Sequence, residues 1–256
     1  MGINSKDRRD FYYYQAKIQG YRARSAFKLL DIETTFNIFK DASRIVDLCA
    51  APGSWSQVLR SKTNSKIVAI DIQEMAPIDG VMTLKEDITS LECIRKVQEI
   101  FEGEKAELIV CDGAPDVTGF HDLDEFLQAD LLKASLALCL KIGKIGSTFV
   151  GKCFRGEYSG FILRHFNKFY DSVELVKPKA SRNASVECFL VCRGMKETFE
   201  NPMKLDVSGE PLNFQIKSCG DGPDPDFINQ EIIQTNSPIT PPINPPYKDS
   251  IHLRRK

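Results

Sequence analysis

Four charged side chains stand in apolar surroundings where an unpartnered charge is costly: Lys28 within RARSAFKLL, Asp112 at the end of IVCD, Lys152 at the end of STFVGK and Glu187 inside SVECFLV. Taken singly, each could be a snorkelled or salt-bridged side chain. Two ammonium groups and two carboxylates converging at one sheet edge would instead offset one another's desolvation. Such a set could orient a weakly acidic hydroxyl, and an ammonium whose pKa is lowered by burial and a second cation could also take its proton. None of the three histidines is placed for that work: His121 follows the DVTGF loop, His165 sits in a helix-like stretch, and His252 lies near the C-terminus. No His/Cys cluster has metal-ligand spacing, and no metal is expected.

A second feature lies upstream. DLCAAPGSWSQ, residues 47–57, joins the end of a strand-like run to a helix start through a bend that Pro52 and Gly53 permit. Its small residues leave room for a ligand against the backbone. Asp47, Asp71, Asp87 and Asp112 close or follow four successive strand candidates, where ligands collect in open α/β sheets. A carboxylate ending the second strand, as Asp71 does, is the usual acceptor for ribose hydroxyls. The GxGxxG spacing that brings a pyrophosphate to a helix N-terminus is missing, so an adenosine cofactor without a diphosphate fits better than a dinucleotide.

The elements that would position these groups alternate. Strand candidates run over 44–48, 66–71, 107–111, 147–152, 172–176 and 185–191, with a weaker one at 81–84; helix candidates run over 24–36, 55–61, 91–101, 123–141 and 158–168. Ser25 is available to cap the first helix. This order predicts a mainly parallel sheet with helices on both faces, the last two strands being joined closely enough that one runs antiparallel.

The chain has 256 residues, 42% of them hydrophobic, enough for one sizeable domain. Its net charge of -1 conceals a basic start: Lys6, Arg8, Arg9, Lys17, Arg22, Arg24 and Lys28 against Asp7 and Asp10, net +5 over the first 30 residues. Phe11, Tyr12, Tyr13, Tyr14 and Tyr21 are interleaved with these cations, a mixture that suits phosphates and unpaired bases. Lys177, Lys179, Arg182 and Arg193 bracket the last strand pair and could line the same groove. The eight cysteines form no CxxC pair, which suggests a reducing compartment, and no apolar run is long enough for a membrane span. Nine of the thirteen prolines fall between Pro202 and Pro246. The organisation read from this is a basic aromatic arm over 1–22, a folded domain over 23–195 and a proline-rich tail over 196–256, either unstructured or a docking segment.

DLCAAPGSWSQ, DIQ at 71–73, EDIT at 86–89 and CDGAPDVTG at 111–119 resemble, in order, the cofactor motifs of the FtsJ-like (RrmJ-type) RNA ribose 2'-O-methyltransferases, and the similarity runs from about residue 5 to 193. That resemblance implies a Rossmann-like fold with a seven-stranded sheet and S-adenosylmethionine as cofactor. It places Gly53 and Trp55 at the cofactor's methionine end, Asp71 at its ribose, Asp87 at its adenine and Asp112 near the transferred methyl. Lys28, Asp112, Lys152 and Glu187 match the family's Lys-Asp-Lys-Glu tetrad, with Lys152 expected to orient the 2'-hydroxyl and either deprotonate it or, because Asp112 and Glu187 oppose a lowered pKa, act as an electrostatic positioner. Within the family, KPKASRNASVE and SPITPPINPPY look most like the eukaryotic cytosolic branch that methylates tRNA anticodon-loop riboses, which implies WD-repeat and helical-repeat partner proteins and a cytoplasmic location. The alternatives are a ribosomal-RNA or mRNA-cap 2'-O-methyltransferase, a noncatalytic RNA-binding module on the same scaffold and, from sheet type alone, a nicotinamide oxidoreductase.

Overall fold

A computed structural model describes residues 10–221, apart from 117, 183 and 199. The first nine residues of the arm, the SPITPPINPPY segment and His252 lie outside the described residues. All seven expected strands are present: β1 (Arg44–Leu48), β2 (Lys66–Asp71), β3 (Val81–Lys85), β4 (Ala106–Cys111), β5 (Gly143–Phe154), β6 (Tyr170–Pro178) and β7 (Glu187–Met195). An eighth, β8 (Ile216–Cys219), joins them in the order β3-β2-β1-β4-β5-β7-β6-β8. β1, β2, β3, β4 and β5 pair in parallel, whereas β7 runs antiparallel to both its neighbours, β5 and β6.

Alternation along the strands sorts the core onto two faces. Ile45, Ile67, Leu108, Val110, Val150 and Phe189 pack against α2 (Ala26–Phe36) and α3 (Ser54–Lys62), through Leu29, Ile32, Trp55 and Leu59. Val46, Val68, Ile109, Phe149 and Leu190 pack against α4 (Leu91–Ile100), α5 (His121–Ile142) and α6 (Ser159–Phe166), through Val97, Leu132, Leu136 and Phe166. Successive residues such as Ile45 and Val46 therefore serve opposite layers, which is why β1 reads as an unbroken apolar run.

Two boundaries differ from the sequence reading. Part of the basic arm is folded: α1 (Phe11–Ile18) is capped by Asp10, whose carboxylate accepts from Tyr13 N at 3.0 Å, and Tyr12 packs on Phe27 with ring centroids 5.4 Å apart. At the other end, the sheet extends past residue 195. The Arg164 guanidinium donates to the carbonyls of Asp206, Ser208 and Glu210, Leu212 N donates to Gly160 O, and β8 then pairs in parallel with β6. The described part of the segment past 195 thus takes the docking alternative, and only Pro202 and Pro211 of the nine C-terminal prolines lie within it.

Candidate active site and cofactor pocket

The bend after β1 is built around Gly53, at φ +103°, where any side chain would be strained. A Cβ there would also come within 2.7 Å of Arg22 Nη1. Arg22 explains the crowding: its guanidinium donates to Pro52 O at 2.9 Å, Ala76 O at 2.7 Å and Pro77 O at 2.7 Å, tying the bend to the loop between β2 and β3. Gln57, in the same motif, accepts from Arg22 N at 2.8 Å and donates to Gly20 O at 3.1 Å. The folded arm and the bend are thus fixed to each other. Nothing in the spacing of residues 20–22 announced this, because the acceptors of the Arg22 guanidinium are backbone carbonyls 30 or more residues away.

Below the bend, Asp47 is 1% exposed and accepts from Ser56 Oγ at 2.6 Å. Burial pushes its carboxyl up to about 8, against the lowering effect of the Ser56 hydrogen bond. It fastens β1 to α3 and does not line a cavity. Trp55 is 2% exposed, its ring lies 5.7 Å from Phe189, and its indole N–H donates to Ser25 O at 2.9 Å. The indole is thus core, while its backbone N–H, in the first turn of α3, lacks an intrahelical partner. Ser25 likewise does not cap α2; its hydroxyl lies 2.7 Å from Ser54 Oγ and links the starts of the two helices.

A cavity of about 540 Å³ opens at the carboxyl ends of β1, β2 and β4, with Asp71, Asp87 and Asp112 in its wall and Ile72, Ile88 and Leu131 among its apolar lining. Gly53 and Trp55 are outside that lining. Asp71 accepts from Ala51 N at 2.9 Å and Gln73 N at 2.7 Å, so it holds the bend while keeping further lone pairs. Asp87 accepts from both the N–H and the hydroxyl of Thr89, which hold its carboxyl below the ordinary carboxylate range. With Glu86 and Asp130 the wall carries five carboxylates and, among the described residues, no basic side chain. That set of acceptors fits a cofactor with hydroxyls, an exocyclic amine and a positive charge; a pyrophosphate would be repelled.

A second hollow of about 570 Å³ shares Ala114 with the first and contains Lys152 and Glu187. Here the four charged residues meet. Lys152 Nζ lies 2.6 Å from Asp112 Oδ1 and donates to Asp112 O at 2.7 Å; Lys28 Nζ donates to Glu187 Oε2 at 2.7 Å. Register explains the meeting: Lys152 pairs with Phe189 and Phe154 with Glu187, so Lys152 and Glu187 are diagonal neighbours on one face of the sheet. Burial presses the Lys152 ammonium down, yet Asp112, then Glu187, outweigh it and leave its pKa above the ordinary lysine value. Burial likewise presses Glu187 up, and Lys28 followed by Lys152 outweighs it, leaving its carboxyl below the ordinary range. Of the opposing influences at Lys152 that the sequence left undecided, the nearby carboxylates, not the second ammonium, dominate its field.

Ion pairs this deeply placed contribute little net stability, since replacing both partners by apolar groups is often neutral or stabilising, whereas removing one partner costs about 3–5 kcal/mol. The fold has no need of two such pairs at a strand edge. A third hollow, about 370 Å³, shares Glu187 and Arg155 with the second and is lined also by Lys177, Lys179 and Ser218. The supporting residues that sequence reading missed are Asp124, Glu125 and Gln128 on α5. Asp124 accepts from Thr118 and Gly119, Glu125 from Glu157 N and Tyr158 N, and Gln128 donates to Gly113 O and Lys152 O. An acidic pair opening a helix was a visible signal, though it reads first as a favourable helix-dipole arrangement.

A family model described as FtsJ-like methyltransferase matches residues 21–195. The chain belongs to the FtsJ-like methyltransferases. It is 43% identical to the human tRNA (cytidine(32)/guanosine(34)-2'-O)-methyltransferase, the match covering 100% of this chain and 86% of that protein. Its identity to the Schizosaccharomyces pombe protein of the same name is also 43%, covering 99% and 98%. The AdoMet-dependent rRNA methyltransferase SPB1 of Eremothecium gossypii is 43% identical over 86% of this chain but only 26% of its own length. A solved Plasmodium falciparum structure described as a ribosomal RNA methyltransferase superposes with a TM-score of 0.63 at 25% identity, covering 68% of this FtsJ-like chain and 98% of that one. These relatives confirm the mixed α/β methyltransferase fold. No helix among the described residues is long and apolar enough to cross a membrane.

Proposed function

We propose that this FtsJ-like enzyme methylates 2'-hydroxyls of tRNA anticodon-loop riboses, using S-adenosylmethionine. The observation that carries the reading is the convergence of the Lys28–Glu187 and Lys152–Asp112 pairs beside a carboxylate-lined cavity. The relatives matched along nearly their whole length bear names that specify cytidine 32 and guanosine 34 of tRNA, which supports those positions as targets.

In this reading Asp71 accepts from the cofactor's ribose hydroxyls, Asp87 faces its adenine, and Asp112 stands near the sulfonium. Bound there, the cofactor supplies an electrophilic methyl group on a good leaving group. Lys152, held protonated by its carboxylate neighbours, donates to the target oxygen and fixes its approach; Lys28 holds Glu187 ionised beside it. A hydroxyl becomes a far stronger acid as its oxygen acquires the methyl, so the proton can leave late, toward the carboxylates, and no strong base is needed beforehand. Lys152 thus acts as a charged positioner. Arg155, Lys177 and Lys179 in the adjoining hollow take phosphates flanking the target, and the aromatic arm adds stacking. WD-repeat and helical-repeat partners and a cytoplasmic setting complete the reading; the free thiols of seven buried cysteines suit a reducing compartment.

The test is to map 2'-O-methyl marks on tRNA, ribosomal RNA and capped transcripts incubated with the chain, cofactor and candidate partners. Marks at anticodon-loop riboses of tRNA, lost in Lys152→Ala, are expected. Marks confined to ribosomal RNA or caps would move the enzyme to another substrate, and turnover surviving in Lys152→Ala would end the tetrad assignment.

A further inference from the structure

Past the final rung of the β4–β5 ladder, Cys111 opposite Gly151, no sheet pairing joins β4 to β5; Asp112 and Lys152 are the next residues on each, and Lys152 is paired only on its other side, to Phe189 of β7. One side chain bridges the gap. The Gln128 amide, 2% exposed, donates from a single nitrogen to Lys152 O at 2.7 Å and to Gly113 O at 3.2 Å. Its own oxygen is buried and makes no hydrogen bond among the described residues. The amide cannot be turned to satisfy that oxygen, because doing so would set it against two carbonyl oxygens. A buried acceptor is left unmet while both carbonyls receive a donor, a net cost to the fold unless the spacing of the two segments matters.

We propose that Gln128 is a positioning residue for methyl transfer, holding the Asp112 and Lys152 main chains at the separation their ion pair requires. Lys152 Nζ already grips Asp112 O at 2.7 Å. With Gln128 on the next carbonyl, the Asp112–Gly113 segment is fixed at two consecutive points, one by the site's ammonium and one by α5. Asp124 and Glu125, on the preceding turn, secure the loops on either side, at 118–119 and 157–158, but neither bonds the main chain of the ion pair. Loss of the Gln128 donors therefore frees the pair itself while leaving the walls of the hollow in place.

This inference rests on the roles given to Lys152 and Asp112 above, and the experiment separates the two. Gln128→Met keeps the volume and removes both donors. In the full-length chain, under the conditions in which the wild type methylates tRNA, kcat is expected to fall by about 10- to 100-fold, the scale set by sub-ångström misplacement of reacting groups. The KM for tRNA and the Kd for S-adenosylmethionine should stay within about threefold, since the Gln128 side chain does not itself line the cofactor cavity. Gln128→Glu adds a second readout: ionised, it faces two carbonyls without a proton to offer, and protonated it regains one donor. Its activity relative to wild type should rise several-fold between pH 8 and pH 6, while the Gln128→Met ratio stays flat. A kcat within twofold of wild type in Gln128→Met, cofactor affinity falling in step with kcat, or a flat Gln128→Glu ratio overturns the proposal. If Gln128→Met does not fold, the Gln128→Glu ratio decides alone. Turnover surviving in Lys152→Ala defeats the underlying roles instead, and is recognisable because Lys152→Ala is assayed beside the Gln128 variants.

Discussion

The two hollows flanking the tetrad carry opposite signs. The cofactor cavity presents five carboxylates, with Asp71, Asp87 and Asp112 at strand ends, and no basic side chain among its described lining; the hollow beyond Glu187 presents Arg155, Lys177 and Lys179. Under the function proposed above, a cationic methyl donor and an anionic RNA would be sorted to their own sides by charge before any specific contact forms. The tetrad, with two groups of each sign, stands where the fields meet. A near-neutral net charge of -1 conceals this polarity, because the two regions cancel in the sum.

The contrast can be broken at its centre or at either side. The largest effect is expected from Lys152→Ala, which removes the ammonium at the boundary: methyl transfer should drop by about a thousandfold, the scale of losing one preorganised charge, with cofactor binding by calorimetry nearly unchanged. On the acidic side, Asp71→Ala removes an acceptor that also holds Ala51 N. Calorimetry should show S-adenosylmethionine affinity weakened by about 10- to 100-fold, the range for hydrogen bonds to a charged group, while tRNA affinity stays constant. On the basic side, Lys177→Gln and Lys179→Gln should each raise KM for tRNA and lower the salt dependence of binding by about 0.7 to 0.9 log units per log unit of salt. A cofactor affinity that moved with these lysines would show that the two regions are not independent.

The smallest effect concerns stability. The Asp47 carboxyl is raised to about 8 in the fold against 3.8 ordinarily, so the folded chain binds a proton that the unfolded one has released across that interval. Stability from this group is intact below the unfolded value and declines as pH climbs toward 8. Asp47→Asn keeps an acceptor for Ser56 and removes the titration, so its advantage over wild type in urea melts should grow from pH 5 to pH 8. An advantage independent of pH would show that Asp47 is not the group responsible.

The strands were legible because each is a short apolar run bounded by turn residues, and the strand-end carboxylates were legible from sheet topology. β8 was not: Ile216-Lys217-Ser218-Cys219 is an edge segment with two exposed polar residues and no alternation long enough to read. The direction of the Trp55 ring was not legible, because a motif position gives residue type and not direction, and the side chain turns into the α2–α3 layer. Arg22, Glu125 and Gln128 escaped for a common reason, since each bonds mainly to distant backbone atoms, and backbone atoms carry no sequence signature. The net pKa of Lys152 could not be read either; its sign depends on whether carboxylates or the second ammonium lie nearer, a matter of a few ångströms.

One reversed strand has a consequence for where chemistry can occur. Because β7 enters against the direction of β4 and β5, its first residue, Glu187, arrives at the rim where those strands finish. Had it run with them, the same nine-residue segment would have delivered that carboxylate to the opposite rim, about 30 Å distant, leaving Lys28 facing no counter-ion from that strand. Chain polarity at a single position in the sheet thus decides whether the fourth member of the constellation is present at all.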